Sequence, residues 1–143
     1  DQKEIVQKLL PLAEVGMGYV QLGKSSTTLS GGEAQRIKLA SYLGRGTKDG
    51  AGFFLFDEPT TGLHLHDIAQ LLQAFRALMA AGHSVLVIEH KPEVLMASDW
   101  IIDMGPEGGV NGGQVVWEGT PTAMRESGKG HTADALRSRS LAL

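Results

Sequence analysis

Phe53-Phe54-Leu55-Phe56-Asp57-Glu58 decides how the rest of the chain is read. Its four apolar residues in a row read as a strand buried on both faces, the habit of a parallel sheet covered by helices, and the run ends on two adjacent acids. Downstream, Ile68, Leu71, Leu72, Phe75, Leu78 and Met79 keep helical spacing, and Gly82 stops that helix. Ser84-Val85-Leu86-Val87-Ile88 is a second buried strand, followed at once by Glu89 and His90. Pro92 opens a short helix through Met96, and Trp100-Ile101-Ile102 reads as a third strand. Strand, helix, strand, helix, strand predicts an α/β fold of the doubly wound, layered kind, with a mostly parallel sheet and helices on both faces. Chemistry in such sheets gathers at the carboxyl ends of the strands, where Asp57, Glu58, Glu89 and His90 all fall.

Upstream, Ile5, Val6, Leu9, Leu10, Leu12 and Ala13 form a helical stripe interrupted at Pro11, and Gly16 and Gly18 break it. Residues 19–29 read as polar, extended chain. Ser30 opens the next helix, carried by Ala34, Ile37, Ala40 and Leu43 and ended by Gly44 and Gly46. Lys48 to Gly52 reads as a flexible connection. Beyond the third strand, Gly105 to Gly113 is a Gly-rich turn, Gln114 to Glu118 an outer strand, and Thr120-Pro121 the start of a last helix. The working domain is expected over residues 1–125. The tail, 126–143, is expected to be partly disordered or packed on further sequence.

Bulk properties narrow the function classes. A length of 143 residues suits one core. A formal net charge of -3, from 13 Lys+Arg against 16 Asp+Glu, argues against a broad nucleic-acid-binding face on this segment. The lack of Cys excludes disulfides and thiolate zinc sites, and fits a reducing, cytoplasmic setting. No apolar run approaches the ~20 residues of a membrane-spanning helix. No signal peptide is read in the polar start Asp1-Gln2-Lys3-Glu4, and a chain without an initiator Met fits a fragment or a processed product.

Ser30-Gly31-Gly32-Glu33 has the form of a capping box, with the serine hydroxyl and the glutamate carboxylate satisfying each other's backbone N–H. Capping alone does not explain two glycines in a first helical turn, where each costs up to about 1 kcal/mol relative to Ala. Glycines there let an anion approach the positive end of the helix, which suits a phosphate. Asp57 at a strand tip has the Walker B form, and can hold Mg²⁺ directly or through water. Glu58 can orient, or take a proton from, a water attacking a phosphate, and a neutral His90 can hydrogen-bond the phosphate and hold that water.

Two further patterns are set aside. Gly18-Tyr19-Val20-Gln21-Leu22-Gly23-Lys24-Ser25 matches the phosphate-loop spelling, yet no buried strand precedes it, no helix directly follows it, and its middle is bulky. His64-Leu65-His66-Asp67 has no clustered ligand beside it to support a metal site.

Thr27-Thr28-Leu29-Ser30-Gly31-Gly32-Glu33-Ala34-Gln35-Arg36-Ile37-Lys38-Leu39-Ala40 resembles the signature helix of ABC-type ATPases, and most of all that of the UvrA family, the damage-recognition subunits of the bacterial excision nuclease. Asp57 through His64 resembles that family's Walker B segment and D-loop. Ile88-Glu89-His90, the run Ala97 to Gly109 and Glu118-Gly119-Thr120-Pro121 continue the match in order. Thr60-Thr61 and the Tyr19 to Gly23 stretch resemble the second, C-terminal nucleotide-binding half. The match covers roughly residues 5 to 125. Counterparts of the Walker A loop, the Q-loop and the zinc modules are not found, so the fold implied is a partial ABC-type, P-loop NTPase-like one lacking its Walker A portion.

The resemblance implies ATP and Mg²⁺ as cofactors. It implies that Ser30, Gly31, Gly32 and Glu33 press on the γ-phosphate of ATP held by the other half. Asp57, as the Mg²⁺ holder, with Glu58 and His90 as the catalytic pair, would serve ATP held by this half's own Walker A. The implied partners are the missing Walker A half of the same protein, a second copy in a self-dimer, UvrB, and damaged DNA through other parts of the parent. No membrane is implied. The parent would be an ATPase of nucleotide excision repair, whereas the 143 residues alone would not turn over ATP. Two alternatives stay open: a non-catalytic truncated homologue acting as an interaction module, and the ATPase segment of another ABC protein. A transporter ATPase is disfavoured by the Gly105 to Gly109 match.

Overall fold

A computed structural model of the chain describes residues 2–23, 25–43 and 50–138. Among these are six α-helices and four strands, in two compact units, residues 1–89 and 90–143. None of the helices is long and apolar enough to cross a membrane. Lys24, most of the connection between the second helix and the first strand, and the last five residues of the tail lie outside the described residues.

The first unit holds α1 (Gln2–Glu14), α2 (Gly31–Leu43), β1 (Phe53–Asp57), α3 (Leu65–Ala80) and β2 (Ser84–Ile88). β1 and β2 pair in parallel, Phe53 opposite Ser84 through Asp57 opposite Ile88, as the two apolar runs predict. Phe54 and Phe56 point to one face. Phe54 meets Tyr42 of α2 edge-on at 5.0 Å, and Phe56 packs on Phe75 of α3 at 4.9 Å. Ile68, Leu71, Ala74, Phe75 and Leu78 of α3 are buried, one apolar stripe at helical spacing. Gly82 ends α3 with φ +89°, a conformation that a side chain would strain.

Two expectations change in detail. Neither β1 nor β2 is buried on both faces: Phe53 is 69% and Leu55 57% exposed, and in β2 Leu86 is 38% and Ile88 50% exposed. The helices packed against β1 and β2 lie on the Phe54–Phe56 side, and an apolar run records what a strand can bury, not what the described chain brings to it. The stripe over 4–14 is not interrupted either, because α1 runs on through Pro11. Pro11 costs α1 the hydrogen bond that would reach back to the Gln7 carbonyl, and the helix continues past it to Glu14. Ile5, Val6 and Leu10 of α1 are exposed.

The second unit holds α4 (Pro92–Ala97), β3 (Ile101–Gly105), β4 (Gln114–Gly119), α5 (Pro121–Ser127) and α6 (His131–Ser138). β3 pairs with β4 antiparallel, with the register shifting between Asp103 and Met104. Thr120 caps α5 by accepting from the Ala123 N–H at 3.2 Å, with Pro121 in the first turn, as its sequence predicts. Ile101, Met124, Ala133 and Leu136 form the core, flanked by Leu95, Met96 and Trp117. Residues 131–138 of the tail are thus helical and contribute two of the core residues.

Candidate functional site

The first turn of α2 forms as a reciprocal cap. Ser30 Oγ accepts from the Glu33 N–H at 3.2 Å, and Glu33 Oε2 accepts from the Ser30 N–H at 2.8 Å. Glu33 Oε1 accepts from the Tyr19 hydroxyl at 2.9 Å. Partial burial, and after it this carboxylate, hold the Tyr19 hydroxyl above its ordinary pKa. The two glycines then differ. A Cβ on exposed Gly31 would meet open space. One on buried Gly32 would lie 3.2 Å from Arg36 Nη1 and 3.5 Å from the Glu58 carbonyl oxygen. Gly31 leaves the helix start approachable by an anion, while Gly32 lets α2 settle on the loop after β1.

Asp57 and Glu58 are both exposed at the tip of β1. The Glu58 N–H donates to the Ile88 carbonyl at 2.9 Å, one step beyond the β1–β2 pairing. Glu58 itself has φ +45°, an unusual left-handed conformation for a non-glycine residue. Such a residue persists only where its surroundings impose it, and these cluster at functional sites.

Side chains of α2 hold the main chain on either side of Glu58. The Gln35 carboxamide binds the Asp57 main chain twice: Nε2 donates to the Asp57 carbonyl and Oε1 accepts from the Asp57 N–H, each at 3.0 Å. Arg36, only 1% exposed, donates through Nη1 to the Pro59 carbonyl, through Nη2 to the Tyr19 hydroxyl at 3.3 Å, and through Nε to Met17 Sδ at 3.3 Å. Beyond Pro59, the buried Thr60 donates its N–H to Glu89 Oε1 at 3.2 Å and its hydroxyl to the same oxygen.

The first unit therefore sets α2 against the loop that carries Asp57 and Glu58 through Gly32, Gln35 and Arg36, with Ser30, Gly31 and Glu33 in the turn that begins that helix. His90 opens the second unit, directly after Glu89 and ahead of α4. No local pattern in the sequence marks Gln35, Thr60 or Glu89 as contacts of this loop. For Arg36 a signal existed, since it falls at helical spacing with Gly32, Leu39 and Ala40, all of them buried. Of the set-aside histidines, His64 precedes α3 without a side-chain cap, and His66 Nε2 lies 3.3 Å from Gln70 Nε2.

Chemically, the start of α2 suits a phosphate, and Asp57 offers hard oxygens that suit Mg²⁺. Among the described residues no group of three or more His, Cys, Asp or Glu is placed to hold a metal. The oxygens that Asp57 exposes at the tip of β1 are of the hard kind that Mg²⁺ takes beside water and phosphate oxygens.

No family model matches the chain. It is 50% identical over 133 residues to UvrABC system protein A of Vibrio cholerae, covering 93% of this chain and 14% of that protein. It is 52% identical over 133 residues to UvrABC system protein A of Streptomyces avermitilis, covering 93% of this chain and 13% of that protein. The crystal structure of UvrA2 from Deinococcus radiodurans superposes with a TM-score of 0.84 at 46% identity, covering 96% of this chain and 17% of that one. The chain thus spans about one-seventh of the length of the relatives it matches. Across that span, in sequence and in fold, the chain is a relative of the UvrA proteins, as the resemblance of its motifs implied.

Proposed function

We propose that the chain is the signature and Walker B segment of a UvrA-like ATPase that recognises DNA damage in nucleotide excision repair. The observation that carries this reading is the union, in one unit, of a capped Gly-Gly helix start with two exposed acids at a strand tip. The Ser30 hydroxyl accepts from the Glu33 N–H and still has its proton to donate to a phosphate oxygen. Gly31 gives that phosphate access to the backbone N–H groups at the start of α2. The phosphate served here belongs to ATP held by the other nucleotide-binding half.

Asp57, Glu58 and His90 serve the second ATP, held by a Walker A loop outside these 143 residues. Asp57 would hold Mg²⁺, whose chemistry is to neutralise charge gathering on the phosphate oxygens. Glu58 orients the attacking water and accepts its proton. His90 hydrogen-bonds the γ-phosphate and keeps that water in place. The exposed apolar side chains Phe53 and Leu55 fit a sheet face covered by the rest of the parent. The partners proposed for the parent are a second copy of itself, UvrB and damaged DNA, in the cytoplasm.

The test is Glu58→Gln in the intact parent. ATP hydrolysis should fall about 10²- to 10⁴-fold with ATP still bound, as for loss of a positioned acid–base group. The isolated 143 residues should not turn over ATP. Robust turnover by them, abolished by the same substitution, would overturn the division of labour proposed here.

A further inference from the structure

Asp57 is the last residue of β1, and its backbone faces two ways. β2 lies along one edge of β1, where Asp57 pairs with Ile88 and the Glu58 N–H reaches the Ile88 carbonyl. The Asp57 N–H and C=O are turned instead to Gln35, and both hydrogen bonds measure 3.0 Å. A primary carboxamide carries the same donor and acceptor as a peptide group, so Gln35 stands to Asp57 as one residue of a neighbouring strand would. The amide orientation follows from the partners, because a backbone N–H only donates and a carbonyl only accepts.

Two residues further on, the Pro59 carbonyl accepts from Arg36, the next residue of α2. Glu58 therefore lies between two main-chain anchors, and both come from adjacent side chains of one helix. It is also the residue in the left-handed region. A fixed residue on each side is what holds a backbone in a sparsely populated conformation.

We propose that Gln35 is a positioning residue: its carboxamide clamps the Asp57 main chain to α2, so that the Ser30–Glu33 turn and the Asp57–Glu58 pair move as one body. This rests on the ATPase reading above and deepens it. The turn and the acids serve different nucleotides in that reading, so the clamp is the mechanical link between two ATP sites.

The experiment uses the intact parent with Gln35→Met, which keeps the length of the side chain and removes both hydrogen bonds, beside Gln35→Glu, which keeps only the acceptor. Glu58→Gln is the control for the reading itself. Two quantities are measured, the steady-state constants for ATP hydrolysis and hydrogen exchange at the Asp57 N–H. For Gln35→Met, kcat should fall about tenfold with KM for ATP little changed, and the Asp57 N–H should exchange about tenfold faster, the scale of one lost hydrogen bond. Gln35→Glu should restore protection of the Asp57 N–H while leaving kcat reduced. A merely structural role would instead raise exchange along all of β1 and β2, and the Glu variant would be no better than Met.

Unchanged kcat and unchanged exchange in Gln35→Met, with Glu58→Gln inactive, would overturn the clamp and leave the ATPase reading standing. Full activity in Glu58→Gln would overturn both. Should the Met variant not fold, the Glu variant decides alone: a reduced kcat with a protected Asp57 N–H supports the clamp, and a kcat equal to that of the wild type sinks it.

Discussion

The two units bury different things. In the second, the buried side chains of the core are Ile101, Met124, Ala133 and Leu136, all apolar. In the first, beside an apolar stripe, Arg36 and Thr60 are buried as well. Both hold the loop that follows β1: Arg36 donates to its Pro59 carbonyl, and Thr60, a member of the loop, is tied to Glu89 directly after β2. Apolar packing stabilises a fold without aiming any one atom, whereas a buried hydrogen-bonded side chain fixes its partner in direction as well as distance. The difference locates the part of the molecule where placement matters, at the loop beneath the start of α2.

The largest effect should come from Arg36→Met. The aliphatic stem survives, but the Pro59 carbonyl loses its donor and the Tyr19 hydroxyl loses a neighbour. A buried group stripped of its partner costs about 1–3 kcal/mol, and three contacts end on this guanidinium, so a loss near about 3 kcal/mol is expected. Hydrogen exchange at the α2 amides should report it, and ATP hydrolysis by the parent should fall with it. Full activity in a variant so destabilised would break the comparison, since the buried polar contacts would then be packing like any other.

Leu136→Ala is the counterpart in the second unit. Leu136 is 2% exposed, and truncating a buried Leu costs about 2–5 kcal/mol, with the lower end expected for a core this small. Thermal unfolding should register the loss. Hydrolysis per folded molecule should stay close to that of the parent, because Leu136 packs among Ile101, Met124 and Ala133 and makes no part of the hydrogen bonds that hold the β1 loop. A drop in kcat as deep as that of Arg36→Met would erase the distinction between the units.

Much of this was legible in the sequence, and what was not shares a cause. The runs Phe53–Phe56 and Ser84–Ile88, the Ser30–Glu33 box, Gly82 and Thr120-Pro121 all announce local events decided within a few residues, and each element forms where it is read, though neither strand is buried on both faces. Gln35 with Asp57, Arg36 with Pro59, and Thr60 with Glu89 join positions 22, 23 and 29 apart, and no local pattern encodes such pairs. α6 escaped because only Ala133 and Leu136 of its eight residues are buried, too few to make a period. The exposure of Phe53 and Leu55 escaped for the opposite reason. Their apolar character is plain, but whether anything in this chain covers them is a tertiary fact. Among the site residues, the place of Asp57 and Glu58 at the tip of β1 was read correctly, while the side chains that hold them there were not.

A smaller step separates the two hydrogen bonds made by Thr60. Thr60→Val keeps the β-branched shape and the backbone N–H donor to Glu89 at 3.2 Å, and removes only the hydroxyl. Loss of one such bond at a buried site should cost about 1–2 kcal/mol. Glu89 sits directly before His90, so a loosened Glu89 should show in hydrolysis more than in thermal unfolding. An effect confined to stability would mean that the Thr60 hydroxyl only fills its pocket.

The smallest effect is expected at Tyr19, which is 56% exposed. Tyr19→Phe removes the donor to Glu33 Oε1 at 2.9 Å but leaves the Ser30–Glu33 cap, so about 0.5–1 kcal/mol is the reasonable scale. The pH dependence has a definite sign. Folding raises the pKa of this hydroxyl, chiefly through burial and then through Glu33, so the folded chain keeps a proton that the unfolded chain gives up first. Its contribution is fully present below the pKa of an unfolded tyrosine and disappears as the pH climbs through the folded value. The wild type should therefore lose stability in that alkaline window slightly faster than Tyr19→Phe does. Parallel curves for the two proteins would show that neither burial nor the Glu33 contact shifts this hydroxyl, and that the Ser30–Glu33 turn is held from the α2 side alone.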